Sequence, residues 1–159
     1  MLRIAINGYG RIGRSVLRAL YESGARDWAQ VVAINEPAET KTIAHLTRYD
    51  STHGRFPGTV ELDQHTLTVN GDAIQIVNHK DLRQLPWREQ DIDVVLECSG
   101  SFSDRETAQQ HITNGAKRVL FSHPPEASVD ATIVYGVNHQ ILVAYETLIY
   151  NASGSTLPQ

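Results

Sequence analysis

A doubly wound α/β fold is what the sequence predicts: a mostly parallel sheet with antiparallel strands added, forming a single domain. Three observations predict it. Short β-branched apolar runs alternate with segments of helical apolar spacing from the N-terminus onward, the pattern of parallel strands covered by helices. The first such run leads directly into Gly8-Tyr9-Gly10-Arg11-Ile12-Gly13, a glycine turn opening a helix. The chain has 159 residues, of which 41% are hydrophobic and 20% charged; at that size a domain buries roughly 70% of its unfolded surface and holds one core.

The first strand is Leu2 to Ile6, broken by Asn7-Gly8-Tyr9-Gly10. From Arg11 to Glu22 the residues Ile12, Val16, Leu17 and Leu20 recur at helical spacing, and Ser23-Gly24 supplies the stop. Val31 to Ile34 reads as a second buried strand and Thr40 to Arg48 as a short helix. Thr59 to Leu62, Thr66 to Val69 and Ala73 to Val77 are β-prone, and Asn70-Gly71 between the last two is a hairpin signal. These three are the added antiparallel strands. Val94-Val95-Leu96 is a further central strand. Ser103 followed by Glu106 has capping-box spacing for a helix running to Asn114 and closed by Gly115. Val119 to Phe121, Thr132 to Val134 and Thr147 to Tyr150 complete the strands.

The net charge is −4 and the pI about 5.9, which argues against nucleic acid and against anionic membrane as partners. No apolar run is long enough for a transmembrane helix, and the N-terminus has no signal-peptide pattern. The one cysteine, Cys98, excludes an intrachain disulfide framework and a multi-cysteine zinc site, so a cytoplasmic location is expected. The seven histidines show no metal-ligand spacing, and no metal is expected.

The glycine turn carries the chemistry. Gly8 permits a tight turn, Gly10 lets the backbone approach a pyrophosphate, and Gly13 lets the helix pack closely on the sheet. Unpaired N–H groups at the helix start, with the positive end of its dipole, suit phosphate. Glu36 follows the second strand, where a carboxylate accepts hydrogen bonds from the adenosine ribose and repels a 2′-phosphate. NAD is therefore expected over NADP, in a Rossmann domain. The competing reading is a turn that only connects strand to helix.

Longer motifs narrow this. Asn7-Gly8-Tyr9-Gly10-Arg11-Ile12-Gly13-Arg14 resembles the signature of the glyceraldehyde-3-phosphate dehydrogenase family. So do Val32-Ala33-Ile34-Asn35-Glu36, Tyr49-Asp50-Ser51-Thr52-His53-Gly54, Glu97-Cys98-Ser99-Gly100-Ser101-Phe102, Gly115-Ala116-Lys117-Arg118-Val119 and Tyr135-Gly136-Val137-Asn138-His139. Three stretches are similar to the erythrose-4-phosphate dehydrogenase branch: Arg18 to Gly24, Leu85 to Glu89, and Phe121 to Pro124. Glu36 in place of the more usual aspartate points the same way. The resemblance implies an NAD-binding domain over residues 1–153. Asn7 joins the glycine turn among the cofactor contacts, and Arg11 and Ile12 give backbone N–H groups to the pyrophosphate. Lys80 stands where the family usually has an arginine beside the adenine. Ser99, Gly100 and Phe102 line the adenosine side, and Ser122 sits near the nicotinamide. Phe102 is equally readable as a packed core aromatic.

The resemblance also implies covalent chemistry: a cysteine thiolate, activated by a histidine, attacks an aldehyde, and hydride passes to the nicotinamide. Asn151-Ala152-Ser153 matches the nucleophile motif, but Gly154 stands at the cysteine position and Ser155 at the first threonine. Ser153, Gly154 and Ser155 are thus residual substrate-side positions. Residues 154–159 read as a divergent tail, and the substrate domain is expected to be absent from this chain. Cys98, at a strand end, does not fit a reactive thiol, and Glu36 and Asp50 lie in separate loops, which makes them a poor acid/base pair. Of the histidines, His53 and His123 lie on family loops. The expectation is an NAD-binding domain of a phosphorylated-sugar aldehyde dehydrogenase that does not catalyse by itself. The alternative is a non-enzymatic module that senses NAD or engages a protein. Self-association is expected through the face a substrate domain would cover.

Overall fold

The computed structural model describes residues 1–100, 105–122, 131–133 and 148–151. β1 (Leu2–Asn7) passes through the glycine turn into α1 (Arg11–Glu22), and a 3-10 turn at Ala25–Asp27 returns the chain to β2 (Ala29–Asn35). α2 (Thr40–Arg48) follows, then a small antiparallel pair, β3 (Tyr49–Asp50) and β4 (Gly54–Arg55). β5 (Val60–Asp63), β6 (Thr66–Val69) and β7 (Asp72–Val77) form a meander; after a 3-10 turn at Leu82–Gln84 come β8 (Val94–Glu97), α3 (Arg105–Thr113), β9 (Arg118–Phe121), β10 (Ala131–Ile133) and β11 (Leu148–Asn151).

The main sheet has the order β10-β11-β9-β8-β1-β2-β7-β6-β5. Every neighbouring pair from β10 to β7 is parallel, and β7-β6 and β6-β5 are antiparallel. The doubly wound class with added antiparallel strands is therefore present. Asn70 and Gly71 both take positive φ, 49° and 87°, the two-residue turn that matches strand twist and pairs Val69 with Asp72. The chain runs from β1 outward to β2 and β7, then crosses to β8 on the other side of β1. This reversal creates a topological switch point, with its crevice at the carboxyl ends of the strands.

The sheet carries an apolar layer on each face. Ile4, Ile6, Val31 and Ile34 pack with Leu17 and Leu20 of α1 and Ile43 of α2. Ala5, Val32, Ala33, Trp87, Ile92 and Val95 form the layer on the other face. The register of β1 on β2 steps from Ile4↔Val31 to Ala5↔Ala33. That bulge leaves Val32 and Ala33 in the same layer despite their being adjacent in the chain.

Several sequence expectations are corrected in detail. β2 begins two residues before Val31, because Ala29 is also fully buried against β1. The short pair β3 and β4 was not anticipated, since it rests on a side chain far along the sequence. Arg18, buried on α1, donates to the carbonyl of Gly54 at 2.6 Å, with longer bonds to Arg48 and His53, and lies over the Phe56 ring. Ile12 fits the apolar spacing of α1 but is 51% exposed, bordering a cleft with Leu96 and Leu120 instead of packing in the core. The Ser103 cap, Val134 and Thr147 lie outside the described residues.

Candidate functional site: the crevice at the ends of β1, β2 and β8

The glycine turn is shaped by contact. Gly8 has φ +92°, and a Cβ on it would stand 2.4 Å from Ser99 Cα and 2.5 Å from Ser99 N. Only glycine lets the turn lie this close to the chain leaving β8. A Cβ on Gly13 would stand 2.5 Å from the Gly8 carbonyl oxygen and 3.1 Å from Ile6, so this glycine seats α1 on the turn. A Cβ on Gly10 would meet nothing within 4 Å. Gly10 is the N-cap residue of α1 and offers no side-chain cap, so the helix start is open where an anion can approach its N–H groups.

Beside this turn lies a cleft of about 440 Å³ lined by Asn7, Gly8, Gly10, Asn35, Glu36, Pro37, His79, Lys80, Cys98 and Ser99. Six residues expected as cofactor contacts thus meet in one place: Asn7, Gly8, Gly10, Glu36, Lys80 and Ser99. Glu36 is fixed there: Oε2 accepts the Tyr9 N–H at 2.7 Å and Oε1 the Ala38 N–H at 3.2 Å. A carboxylate has about four acceptor positions, so these two bonds leave capacity for ribose hydroxyls. Tyr9 is itself locked, buried with its hydroxyl 2.7 Å from Thr47 Oγ1. Burial pushes that phenol up to about 12.

The remaining expected residues sit elsewhere. Arg11 lines a second cleft of about 420 Å³ with Arg14, Asp50 and His53, although it is its backbone N–H that is expected at the pyrophosphate. Asp50 there accepts the N–H groups of Thr52 and His53, which hold its carboxyl below the ordinary carboxylate value, the His53 bond first. Glu36 and Asp50 are in different clefts. Ile12 and Ser122 border an apolar cleft of about 350 Å³ with Val16, Leu96, Leu120 and Phe121. Cys98 borders both this cleft and the first, and burial pushes its thiol up to about 11, unlike a nucleophile. Gly13 lies buried beneath the turn. Gly100, at φ +71°, has open space where a Cβ would point. Phe102, His123, Ser153, Gly154 and Ser155 lie outside the described residues. Among the described residues no cluster of His, Cys, Asp or Glu is arranged to hold a metal ion, and no helix is long and apolar enough to cross a membrane.

Beneath the cleft runs a buried polar chain that the sequence reading missed. Trp87 Nε1 donates to His111 Nδ1 at 2.9 Å. An indole N–H only donates, so the ring hydrogen of His111 is on Nε2, which donates to Glu97 Oε2 at 2.7 Å. The same oxygen accepts Asn7 Nδ2 at 2.8 Å, while Oε1 accepts the Ser99 N–H at 3.1 Å and the Ser99 hydroxyl at 2.5 Å. Asn7 Oδ1 accepts Asn35 Nδ2 at 2.7 Å, and Asn35 exchanges bonds with the His79 backbone. Burial alone would push the Glu97 carboxyl up; its bonds from His111, Ser99 and Asn7 outweigh that and leave it below its ordinary value. One signal in the sequence pointed here. An acid directly follows the apolar run Val94-Val95-Leu96, and a carboxylate that such a strand carries into the sheet requires partners.

The turn, the acid after β2 and the switch-point crevice fit a dinucleotide: Gly10 leaves room for a pyrophosphate and Glu36 has acceptors to spare for a ribose. A family model described as glyceraldehyde 3-phosphate dehydrogenase, NAD binding domain, matches residues 2–105, more than half of the chain. The protein belongs to this family, and its cofactor is NAD.

Proposed function

We propose that the crevice at the ends of β1, β2 and β8 is where this chain holds NAD, as the cofactor domain of a dehydrogenase acting on a phosphorylated-sugar aldehyde. Erythrose 4-phosphate or glyceraldehyde 3-phosphate is the proposed aldehyde, the first favoured by Glu36 and by the Leu85 to Glu89 stretch. The observation that carries the cofactor assignment is the empty space in front of Gly10, at the uncapped start of α1 and in the same cleft as Glu36. The α1 N–H groups would take the pyrophosphate, Glu36 the adenosine ribose, and Lys80 and Pro37 the adenine side. Gly154 stands where the resemblance calls for the nucleophilic cysteine, and Cys98 has neither the pKa nor the setting to replace it, so this chain by itself is proposed not to oxidise an aldehyde.

Thermal unfolding with and without NAD tests the binding. A ligand at 100 times its Kd stabilises the folded state by about 2.7 kcal/mol, so a clear rise in Tm at millimolar NAD is expected, with a smaller one for NADP. No rise with either cofactor overturns the assignment. NADH formation with each sugar phosphate is expected to stay at background; turnover by the pure chain overturns the inactive reading.

A further inference from the structure

Glu97 is fully buried and does not line the cleft, yet both walls of the cleft depend on it. On one side it receives the N–H and hydroxyl of Ser99, and it is the Ser99 backbone that the Gly8 turn packs against, so closely that a Cβ has no room. On the other side it receives Asn7, which holds Asn35, which in turn holds the His79 backbone beside Lys80. We propose that Glu97 is a positioning residue for the dinucleotide cleft, and that His111 orients its carboxylate so that Ser99 and Asn7 are fixed before NAD arrives.

The chemistry requires a carboxylate here. Glu97 accepts from His111, Asn7, the Ser99 N–H and the Ser99 hydroxyl, and every one of these bonds needs an oxygen lone pair. A glutamine of the same size has one oxygen and an NH₂, so at least one of these donors must face another donor. The Trp87 indole matters for the same reason: by occupying His111 Nδ1 it leaves Nε2–H as the ring's only donor, aimed at Glu97. Preorganised walls lower the ordering cost of binding, so loosening them weakens NAD affinity even though no cofactor contact is removed.

The inference rests on the crevice being the NAD site, and two readouts keep the two ideas apart. In Glu97→Gln the NAD Kd is expected to rise about tenfold, the loss of roughly one charge-assisted hydrogen bond. In the cofactor-free protein, amide hydrogen exchange at Ser99 and Gly8 is expected to accelerate at least about tenfold, while exchange in the β5 to β7 meander stays as in the wild type. A second pair of variants serves if Glu97→Gln does not fold. His111→Gln keeps a donor for Glu97 and loses the acceptor for Trp87; His111→Asn does the reverse. The glutamine variant is expected to bind NAD within about threefold of wild type and the asparagine variant about tenfold more weakly. A folded Glu97→Gln protein with wild-type Kd and wild-type exchange at Ser99 overturns the positioning role, as do position-111 variants with equal affinities. Failure of the wild type to bind NAD overturns the cofactor assignment instead, and the exchange at Ser99 still decides the role of Glu97.

Discussion

Gly8 and Ser99 are packed backbone to backbone: the position a Gly8 Cβ would take is 2.4 Å from Ser99 Cα, and φ at Gly8 is +92°. Gly10, two residues on, has neither constraint; its φ is −79° and no atom stands within 4 Å of its missing Cβ. The two glycines of one motif therefore serve different ends, and substitution separates them. Gly8→Ala is expected to destabilise the fold by about 2 kcal/mol or more, through positive φ and overlap with Ser99. Gly10→Ala is expected to cost less than about 1 kcal/mol, the modest preference for glycine over alanine at an N-cap, while NAD affinity falls at least about tenfold because the methyl group occupies the space for the pyrophosphate. Equal Tm losses in the two variants, or wild-type NAD affinity in Gly10→Ala, would contradict this division.

Glu36 combines two duties that a pair of variants separates. Glu36→Gln keeps an oxygen for the Tyr9 N–H but removes the charge that repels a 2′-phosphate. Glu36→Ala removes both. The ratio of NADP to NAD dissociation constants is expected to fall about tenfold or more in each, equivalent to about 1.4 kcal/mol. NAD affinity should fall further in the alanine variant, where the turn also loses its anchor. An unchanged ratio in both variants would mean that the carboxylate does not face the ribose.

The sequence made the parallel strands, α1, the Asn70-Gly71 hairpin and the glycine turn legible because each is dictated locally, by apolar period or by backbone conformation. Of the six cleft-lining residues, Gly8, Gly10 and Glu36 were legible for the same reason, at fixed offsets from strand ends, whereas Asn7, Lys80 and Ser99 were legible only through the family resemblance. The buried chain from Trp87 to His79 was not, since it joins side chains from five separate stretches and its members look like ordinary polar residues until the sheet order brings β1, β2 and β8 side by side. Arg18 was hidden likewise. An arginine at helical spacing reads as solvated, and only the fold shows it capping the carbonyls of the loop around His53.

Acid should weaken the fold through particular carboxylates. Asp72 is held below its ordinary value by Arg26 and Tyr21, and Asp93 by Lys117 and the Arg3 N–H; Glu97 is also lowered. Each releases its proton more readily folded than unfolded, so its contribution is present above about pH 4 and is lost as pH falls below that. Asp93 joins the start of β1 to the residue before β9. Asp93→Asn is expected to lower stability at pH 7 and to flatten its decline between about pH 5 and pH 3. Denaturant unfolding across that range measures it; an unchanged slope in the variant would show that Asp93 is not among the groups responsible.

The alkaline side has the opposite sign and a different group. Burial moves the Cys98 thiol from 9.0 up to about 11, so the folded chain keeps its proton where the unfolded chain has lost it. The stability this represents is complete below about pH 9 and is lost as pH rises toward 11, with Tyr9, pushed up to about 12, following. The same shift controls reactivity, because the thiolate is the species that attacks. At pH 8 the raised pKa leaves far less thiolate than an ordinary cysteine has, so a small aromatic disulfide reagent is expected to modify the native protein at least about tenfold more slowly than the urea-unfolded chain. Cys98→Ser should abolish that modification, leave NAD binding within about threefold of wild type, and remove part of the stability loss above pH 9. Rapid labelling of the native protein at pH 8 would place an activated thiol in the crevice and reopen Cys98 as a nucleophile; slow labelling with intact NAD binding leaves Cys98 as a packed wall between the polar and apolar clefts it borders.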